Sequence, residues 1–357
     1  MLEDIMTAEE LGALTAFVAQ SARCVLVCHT NPDGDAIGSC LAMASYVRYK
    51  TSCLDDREKR EVGEREVSVV VPDMFPDYLR WMPGADAIVR YDKHPDVARA
   101  LISSADLIFC LDFSDLSRTD AMAEPLRAAT ARKVHIDHHP NPNVECALAV
   151  SRSMLSSTCE IVFRIVWQAG DFAAMTERFA VPVYCGMMTD TGAFTYSSSR
   201  PDIFYIVSQL LTKGIDRDKI YRNVYNNYSE SRLRFIGYVL YHKLVTDPKS
   251  HAAFFTITRQ EQHRFHFIKG DAEGLVNMPL QIKGMLLSIS LREDTERPGL
   301  VLVSLRSVGQ HPCNTIAERF FNGGGHPNAS GGRLYCGMTD AVEVACKAIA
   351  AFADTLK

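Results

Sequence analysis

The sequence predicts an α/β protein, with a parallel sheet carrying helices on both faces, followed by a smaller α+β domain. Three observations predict it. From Cys24 to about Ala149, short β-branched runs alternate with helical patterns, as strands joined by helical crossovers do. A second, strand-rich segment begins near 250 and ends in one long amphipathic pattern. The chain of 357 residues is also longer than a single hydrophobic core usually serves. The boundaries read as 1–205 for the first domain, 206–248 for a helical linker and 249–357 for the second.

Taken in order, MLEDIMTAEELGALTAFVAQ is acidic and amphipathic, with Thr7 and Glu10 spaced as a capping box, so it reads as a first helix and not as a signal peptide. Strands follow at CVLVC, VSVVV (67–71), DAIVRY (86–91), LIFCLD and KVHID, with helical patterns at 35–50 and 94–104. Between them, residues 51–66 mix both charges densely and read as a solvated loop or helix extension. Helical patterns at 157–169 and 182–189 complete the first domain, and Gly214 stops a helix begun near Pro201. The tyrosine-rich stretch IYRNVYNNYSESRLRFIGYVLYHKL reads as connecting helices whose rings pack rather than stack on bases. Beyond it, AAFFTIT, MLLSISLRE and LVLVSLRS are strands, and GMTDAVEVACKAIAAFADTL is a terminal helix.

With 47% apolar and 23% charged residues, the chain can bury a substantial core. A net charge of -5 argues against a diffuse cationic surface that grips long nucleic acid, so an anionic substrate must be caught locally. No apolar stretch approaches membrane-spanning length. The eleven cysteines are odd in number, lack a CxxC pair and sit in apolar runs, which fits buried thiols in a reducing cytoplasm.

The first strand runs into His29-Thr30-Asn31-Pro32-Asp33-Gly34-Asp35, a tight loop from which His29, Asp33 and Asp35 can project. Asp112 ends the strand LIFCL, Asp137-His138-His139 ends KVHI, and Asp190 follows VYCGMMT at another element end. A single such Asp would be a helix cap. Independent caps do not deposit Asp or His at the end of strand after strand, and in a parallel sheet those ends converge on one crevice. Carboxylate and imidazole without nearby thiolate suit Mn²⁺ first, then Mg²⁺ or Co²⁺, and two such ions would offset the mutual repulsion of Asp33, Asp35, Asp112 and Asp190. A two-metal site of this kind, with ions about 3.5–4 Å apart, serves phosphoester hydrolysis.

Near the C-terminus, Asn322-Gly323-Gly324-Gly325-His326-Pro327-Asn328-Ala329-Ser330-Gly331-Gly332 permits close backbone approach, so that exposed N–H groups of Gly324 and Gly325, with His326, can cradle an anion; a plain flexible turn is the competing reading. Ser304 and Arg306 alternate around Leu305, and Arg306 can fork onto a phosphate or form a surface salt bridge. A dinucleotide-binding G-x-G-x-x-G is missing between the first strand and helix, which argues against an oxidoreductase.

In this order, HTNPDGDAIGS, Asp112 in LDFSD, Asp137-His138-His139 and TDTGAF resemble the DHH phosphoesterase superfamily, and SLRS with GGGHPNASGG resembles its C-terminal DHHA1 domain. The resemblance implies a two-domain enzyme with two Mn²⁺ ions. His29 and Asp33 would hold one ion, Asp35, His138 and Asp190 the other, and Asp112 both. His139 would contact the scissile phosphate and assist proton transfer, with Asp137 orienting rather than ligating. Ser304, Arg306, Gly324, Gly325 and His326 would bind the rest of the substrate. Within the superfamily the stand-alone NrnA-like group matches best, since GGGH disfavours the pyrophosphatases and exopolyphosphatases. The expectation is a cytoplasmic hydrolase that cleaves short RNA oligonucleotides (nanoRNA) to mononucleotides and dephosphorylates pAp, closing its smaller domain over the substrate. A soluble phosphodiesterase for cyclic di-AMP or pApA, and a nucleotide sensor without catalysis, are the alternatives. The partners implied are short oligonucleotides, pAp or dinucleotides and a second copy in a homodimer, but no long nucleic acid and no membrane.

Overall fold

The computed structural model describes residues 2–54, 65–268 and 270–356, so that most of the charged segment 51–66 lies outside the described residues. The chain divides into two units, Met1–Asn227 and Tyr228–Lys357. That division falls inside the stretch 206–248, expected as a separate linker. Its earlier helices bury Ile206, Leu210, Ile220 and Val224 in the first core, while Phe235 and Val239 enter a core of the second unit. The apolar faces of these helices explain why none of them stands alone as a linker.

The first unit holds β1 (Arg23–Val27), β2 (Glu66–Val71), β3 (Val89–Arg90), β4 (Leu107–Leu111), β5 (Arg132–Asp137) and β6 (Leu148–Ser151). Among the described residues these form one all-parallel sheet in the order β3-β2-β1-β4-β5-β6. The expected strand over 86–91 is reduced to Val89–Arg90, because Ala85–Ala87 turns as a short 3-10 helix. Successive side chains point to opposite faces. Leu26, Leu107, Phe109 and Ile136 therefore meet α1 (Ala8–Gln20), α2 (Gly34–Ser52), α5 (Thr158–Gln168), α6 (Glu177–Asp190), α7 (Pro201–Leu211) and α8 (Arg217–Tyr225). Val25, Val27, Ile108 and Cys110 meet α3 (Pro95–Ser104) and α4 (Ala123–Ala128). The apolar runs CVLV and LIFCL are thus central strands covered on both sides. The capping box at Thr7 and Glu10 is formed, with both reciprocal hydrogen bonds present.

From β1 the chain steps outward to β2 and β3, then returns to the opposite side of β1 at β4. Loops leaving β1 and β4 therefore diverge, opening the crevice where ligands bind in doubly wound sheets. Glycines let the helices above that crevice close in. A Cβ at Gly38 of α2 would lie 2.6 Å from the Pro182 carbonyl oxygen of α6, and one at Gly186 would collide with Cys159 Sγ and lie 2.9 Å from Asp35 Oδ1.

The second unit holds α9 (Glu230–Tyr238), β7 (Val245–Asp247), β8 (Ala252–Ile257), α10 (Arg259–Arg264), β9 (Leu287–Glu293), β10 (Leu300–Ser307), α11 (Asn314–Phe320), β11 (Gly324–His326), β12 (Ala329–Tyr335) and α12 (Met338–Asp354). Its strands run β11-β12-β10-β9-β8-β7, with β8 and β9 parallel and the other neighbours antiparallel, giving a mixed sheet. Ala341, Ala345, Ile349 and Phe352 of α12 pack on Ile289, Leu291, Val303 and Leu305. No helix among the described residues is long and apolar enough to cross a membrane.

Close helix packing at Gly186 generates a first prediction. Gly186→Ala, which overpacks the α2–α5–α6 junction, should cost about 1–3 kcal/mol, the usual range for a methyl forced into a filled core. Urea denaturation would read this as a lower midpoint at unchanged slope; an unchanged midpoint would show that the junction has room to spare.

Candidate metal centre

The loop after β1 is fixed before any ligand enters. Thr30 N–H donates to the Arg118 carbonyl at 2.8 Å. Asn31, at φ 54°, donates its N–H to Asp73 Oδ1 at 2.7 Å. His29 places Nδ1 2.8 Å from the Thr30 carbonyl oxygen, which leaves Nε2 directed to Asp112 Oδ2 at 3.5 Å. Asp33 caps α2, but both capping bonds, from the N–H groups of Asp35 and Ala36, fall on Oδ1. The cap reading and the ligand reading of Asp33 are therefore compatible, because one oxygen serves each.

Asp35 is fully buried in the first turn of α2, and its carboxylate crosses to the N-terminus of α5. There it accepts N–H donations from Thr158 at 2.6 Å and Cys159 at 2.9 Å. Orphan amides at a helix start suit an anion, so α5 holds this acid without a cationic side chain. Thr158 serves a second acid as well, donating its hydroxyl to Asp112 Oδ1 at 2.9 Å. The sequence reading did not single out Thr158. Its signal was the capping pattern Ser157-x-x-Glu160, which is formed with Ser157 Oγ accepting from Glu160 N–H.

Asp112 is 2% exposed and sits just past β4 at φ 65°, a left-handed conformation that Asp tolerates better than most residues. Around it stand His29, His138, whose Nε2 is 3.6 Å from Oδ1, and His139, whose Nδ1 is 3.8 Å from Oδ1. His138 Nε2 also lies 3.2 Å from Asp190 Oδ2 and 3.9 Å from Asp35 Oδ2, while Nδ1 is 3.4 Å from the Leu155 carbonyl oxygen. Asp190 is the last residue of α6, so it arrives from a helix end rather than a strand end. His139 Nδ1 donates to Asp137 Oδ1 at 2.7 Å. Among the described residues, three groups with ligand atoms within 4.8 Å of one another share Asp112: His29, Asp33 and Asp112; Asp35, Asp112 and His138; and Asp112, Asp137 and His139.

Burial drives His29 toward the neutral form, yet the Asp112 hydrogen bond and the charge of Asp33 outweigh it and raise its pKa to about 10. Burial opposes ionisation of Asp112 too, but the His29 hydrogen bond and the surrounding imidazoles hold it well below the usual carboxylate range. Asp35 goes the other way: burial and the charges of Asp112 and Asp33 push it well up, against the Cys159 hydrogen bonds. Burial, together with nearby His139, lowers His138 in spite of Asp112. For His139, burial is overcome by the Asp137 hydrogen bond and the charge of Asp112, so its pKa rises. A neutral His138 facing three carboxylates, beside an acid strained by its like-charged neighbours, is a donor set that fits divalent cations.

In the second unit the glycine segment is not a loop. It folds as the hairpin of β11 and β12, pairing Gly324 with Gly331 and His326 with Ala329. Since β12 pairs Gly331 with Ser304 and Ala329 with Arg306, the residues Ser304, Gly324, Arg306 and His326 occupy neighbouring rows of one sheet face. Gly325 falls in the row of Ser330 and Leu305 and is exposed at the sheet edge, at φ 137°. A Cβ there would lie 2.7 Å from the Ala329 carbonyl oxygen, so Gly325 is required by the hairpin itself. Arg306 Nη1 donates to the Leu305 carbonyl at 2.9 Å and takes part in no salt bridge among the described residues.

The Thr158 contact generates a prediction. Thr158→Val keeps the amide for Asp35 and removes the hydroxyl from Asp112, so Mn²⁺ affinity measured by isothermal titration calorimetry should fall roughly 10–100-fold; unchanged affinity would mean the hydroxyl does not hold Asp112 in place.

The chain is similar to known proteins along most of its length. Residues 23–187 match the model of the DHH family N-terminal domain, and residues 253–355 match that of the DHHA1 domain. The bifunctional oligoribonuclease and PAP phosphatase NrnA of Thermus thermophilus is 26% identical over 307 residues, which cover 86% of this chain and 82% of that protein. An exopolyphosphatase-related protein from Bacteroides fragilis, known from its crystal structure, is 44% identical, with a TM-score of 0.91 over 99% of both chains. RecJ from Thermus thermophilus, crystallised with Mn²⁺, shares the fold alone, at 11% identity and a TM-score of 0.56 over 98% of this chain and 56% of that one. Matched by both domain models in sequence order, and alike from end to end to a relative sharing 44% of its residues, the chain belongs to the DHH family of phosphoesterases and carries a DHHA1 domain.

Proposed function

We propose that this phosphoesterase hydrolyses short oligoribonucleotides to mononucleotides and removes a phosphate from pAp, using two divalent cations, Mn²⁺ first among them. The observation that carries this reading is the convergence of His29, Asp33, Asp35 and His138 on the buried Asp112. His29 and Asp33 would hold one ion, Asp35, His138 and Asp190 the second, and Asp112 would contact both. Bound there, two divalent cations neutralise the carboxylates, acidify the attacking water and clamp phosphate oxygens. The chain's own residues do the rest. Asp137 fixes the His139 ring through Nδ1, leaving Nε2 to contact the scissile phosphate and to pass a proton to the departing oxygen. Ser304, Arg306, Gly324 and His326, on one face of the second sheet, would bind the remaining phosphate or nucleotide, with Gly325 shaping the hairpin that presents them.

The choice of short RNA and pAp draws support from the Thermus thermophilus relative named for those two activities. It also fits the acidic net charge, which does not favour a diffuse cationic surface for a long strand. Polyphosphate is the second reading, favoured by the name of the Bacteroides fragilis relative.

Two predictions follow from the site. Chelation should abolish hydrolysis and Mn²⁺ should restore it, with turnover highest on pAp and RNAs of a few nucleotides in a panel that also holds longer RNAs, cyclic di-AMP and polyphosphate. Preference for the longest RNA, or for polyphosphate alone, would overturn the substrate assignment. Asp112→Ala should lower turnover by about 10²–10³-fold or more, the scale of losing one preorganised charge-stabilising group, in a protein that circular dichroism shows to be folded. Retained turnover would refute the shared role of Asp112.

A further inference from the structure

Directly after Asp190 the backbone enters a run of left-handed residues: Gly192 at φ 52°, Ala193 at 58°, Phe194 at 64° and then Ser197 at 49°. Non-glycine residues avoid this region, and successive ones persist only where surrounding contacts over-determine them. Those contacts are present. The Thr191 hydroxyl donates to the Met187 carbonyl at 2.6 Å and accepts from Phe194 N–H at 3.1 Å. The Thr191 carbonyl accepts from the N–H groups of Thr195 at 2.9 Å and Tyr196 at 3.1 Å. Downstream, Arg200 pairs with fully buried Glu160 at 2.6 Å, at the first turn of α5.

The two aromatic residues of this turn face opposite ways. Phe194 is turned inward, its ring centroid 5.6 Å from that of Tyr184 and 6.2 Å from that of Phe204. Tyr196 is turned outward and is 48% exposed. Its ring lies beside Gly192, where any Cβ would collide with it. The ring therefore rests beside the Gly192 backbone, and the backbone of Tyr196 is tied to Thr191, the neighbour of Asp190, whose Oδ2 is 3.2 Å from His138 Nε2. An isolated exposed tyrosine is ordinary surface. One whose backbone is tied into a strained turn, rooted in the residue after a candidate metal ligand, is a platform.

We propose that Tyr196 forms a nucleobase subsite, stacking its ring on a base of the substrate whose phosphate is held at the His/Asp centre. Every base has a π face, so such a platform accepts nucleotides without choosing among them, and it separates them from phosphate compounds that carry no base. The inference rests on the nucleotide reading above and deepens it. It requires no change in the chemical step, and its effect falls on binding.

The test uses the whole protein with Mn²⁺ and two substrates, the diadenylate pApA and the same phosphodiester lacking both bases. Tyr196→Phe keeps the ring, Tyr196→Leu keeps apolar bulk and Tyr196→Ala removes both. On pApA, the Leu and Ala variants should raise KM by about tenfold or more, the scale of one base-stacking contact, with kcat within about twofold, while the Phe variant stays near the original. On the base-free diester all four proteins should agree. Unchanged KM in the Ala variant, or an equal loss on the base-free diester, would overturn the subsite. An unmodified protein that leaves pApA intact while hydrolysing polyphosphate would overturn the nucleotide reading itself, and this inference with it.

Discussion

The burial of Asp112 is the constraint around which the first unit is organised. An ionised carboxylate that is 2% exposed survives only with compensating charge and hydrogen bonds. Here it has three imidazoles within 3.8 Å and the Thr158 hydroxyl at 2.9 Å. Removing solvent strengthens each of those interactions and equally strengthens the repulsion from Asp33 and Asp35. Burial and that repulsion together push the pKa of Asp35 well up, while for His29 the attraction overcomes burial and raises its pKa to about 10. The pocket is therefore electrostatically unfinished on its own, and divalent cations are the ligand class that completes it.

Backbone and glycine, more than charged side chains, bring the acids to this point. The N-terminal amides of α5 bind Asp35, and the missing side chains of Gly38 and Gly186 allow α2, α5 and α6 to approach closely enough for that bond. Buried Glu160, at the same helix start, pairs with half-buried Arg200 and so ties the segment after Asp190 to α5. One helix terminus thus supports both the carboxylates of the centre and the strained turn that carries Tyr196.

The second unit works by a different device. Its glycines serve a tight hairpin, in which Gly325 is demanded by contact with the backbone of Ala329. What that hairpin presents is a sheet face on which Ser304, Arg306, Gly324 and His326 stand in adjacent rows. That face is built from strand register rather than from a flexible loop.

Much of this was legible in the sequence. The alternation of β-branched runs and helical patterns specifies a parallel sheet, and the placement of His29, Asp33, Asp35, Asp112 and His138 at element ends marks the crevice, because strand polarity sends every carboxyl end to the same edge. The capping box at Thr7 was equally plain, being a purely local pattern. Tertiary structure decided the remainder. Thr158 was invisible as a site residue because its hydroxyl acquires meaning only beside Asp112, 46 positions away. The stretch 206–248 contributes to two cores, since burial against distant elements outweighs local propensity, while the 86–91 strand is shortened to Val89–Arg90 by the 3-10 turn at Ala85–Ala87. Residue types and their spacing determine which chemistry a chain can assemble; distances, left-handed turns and the face on which each glycine lies depend on long-range packing, which no local window of sequence contains.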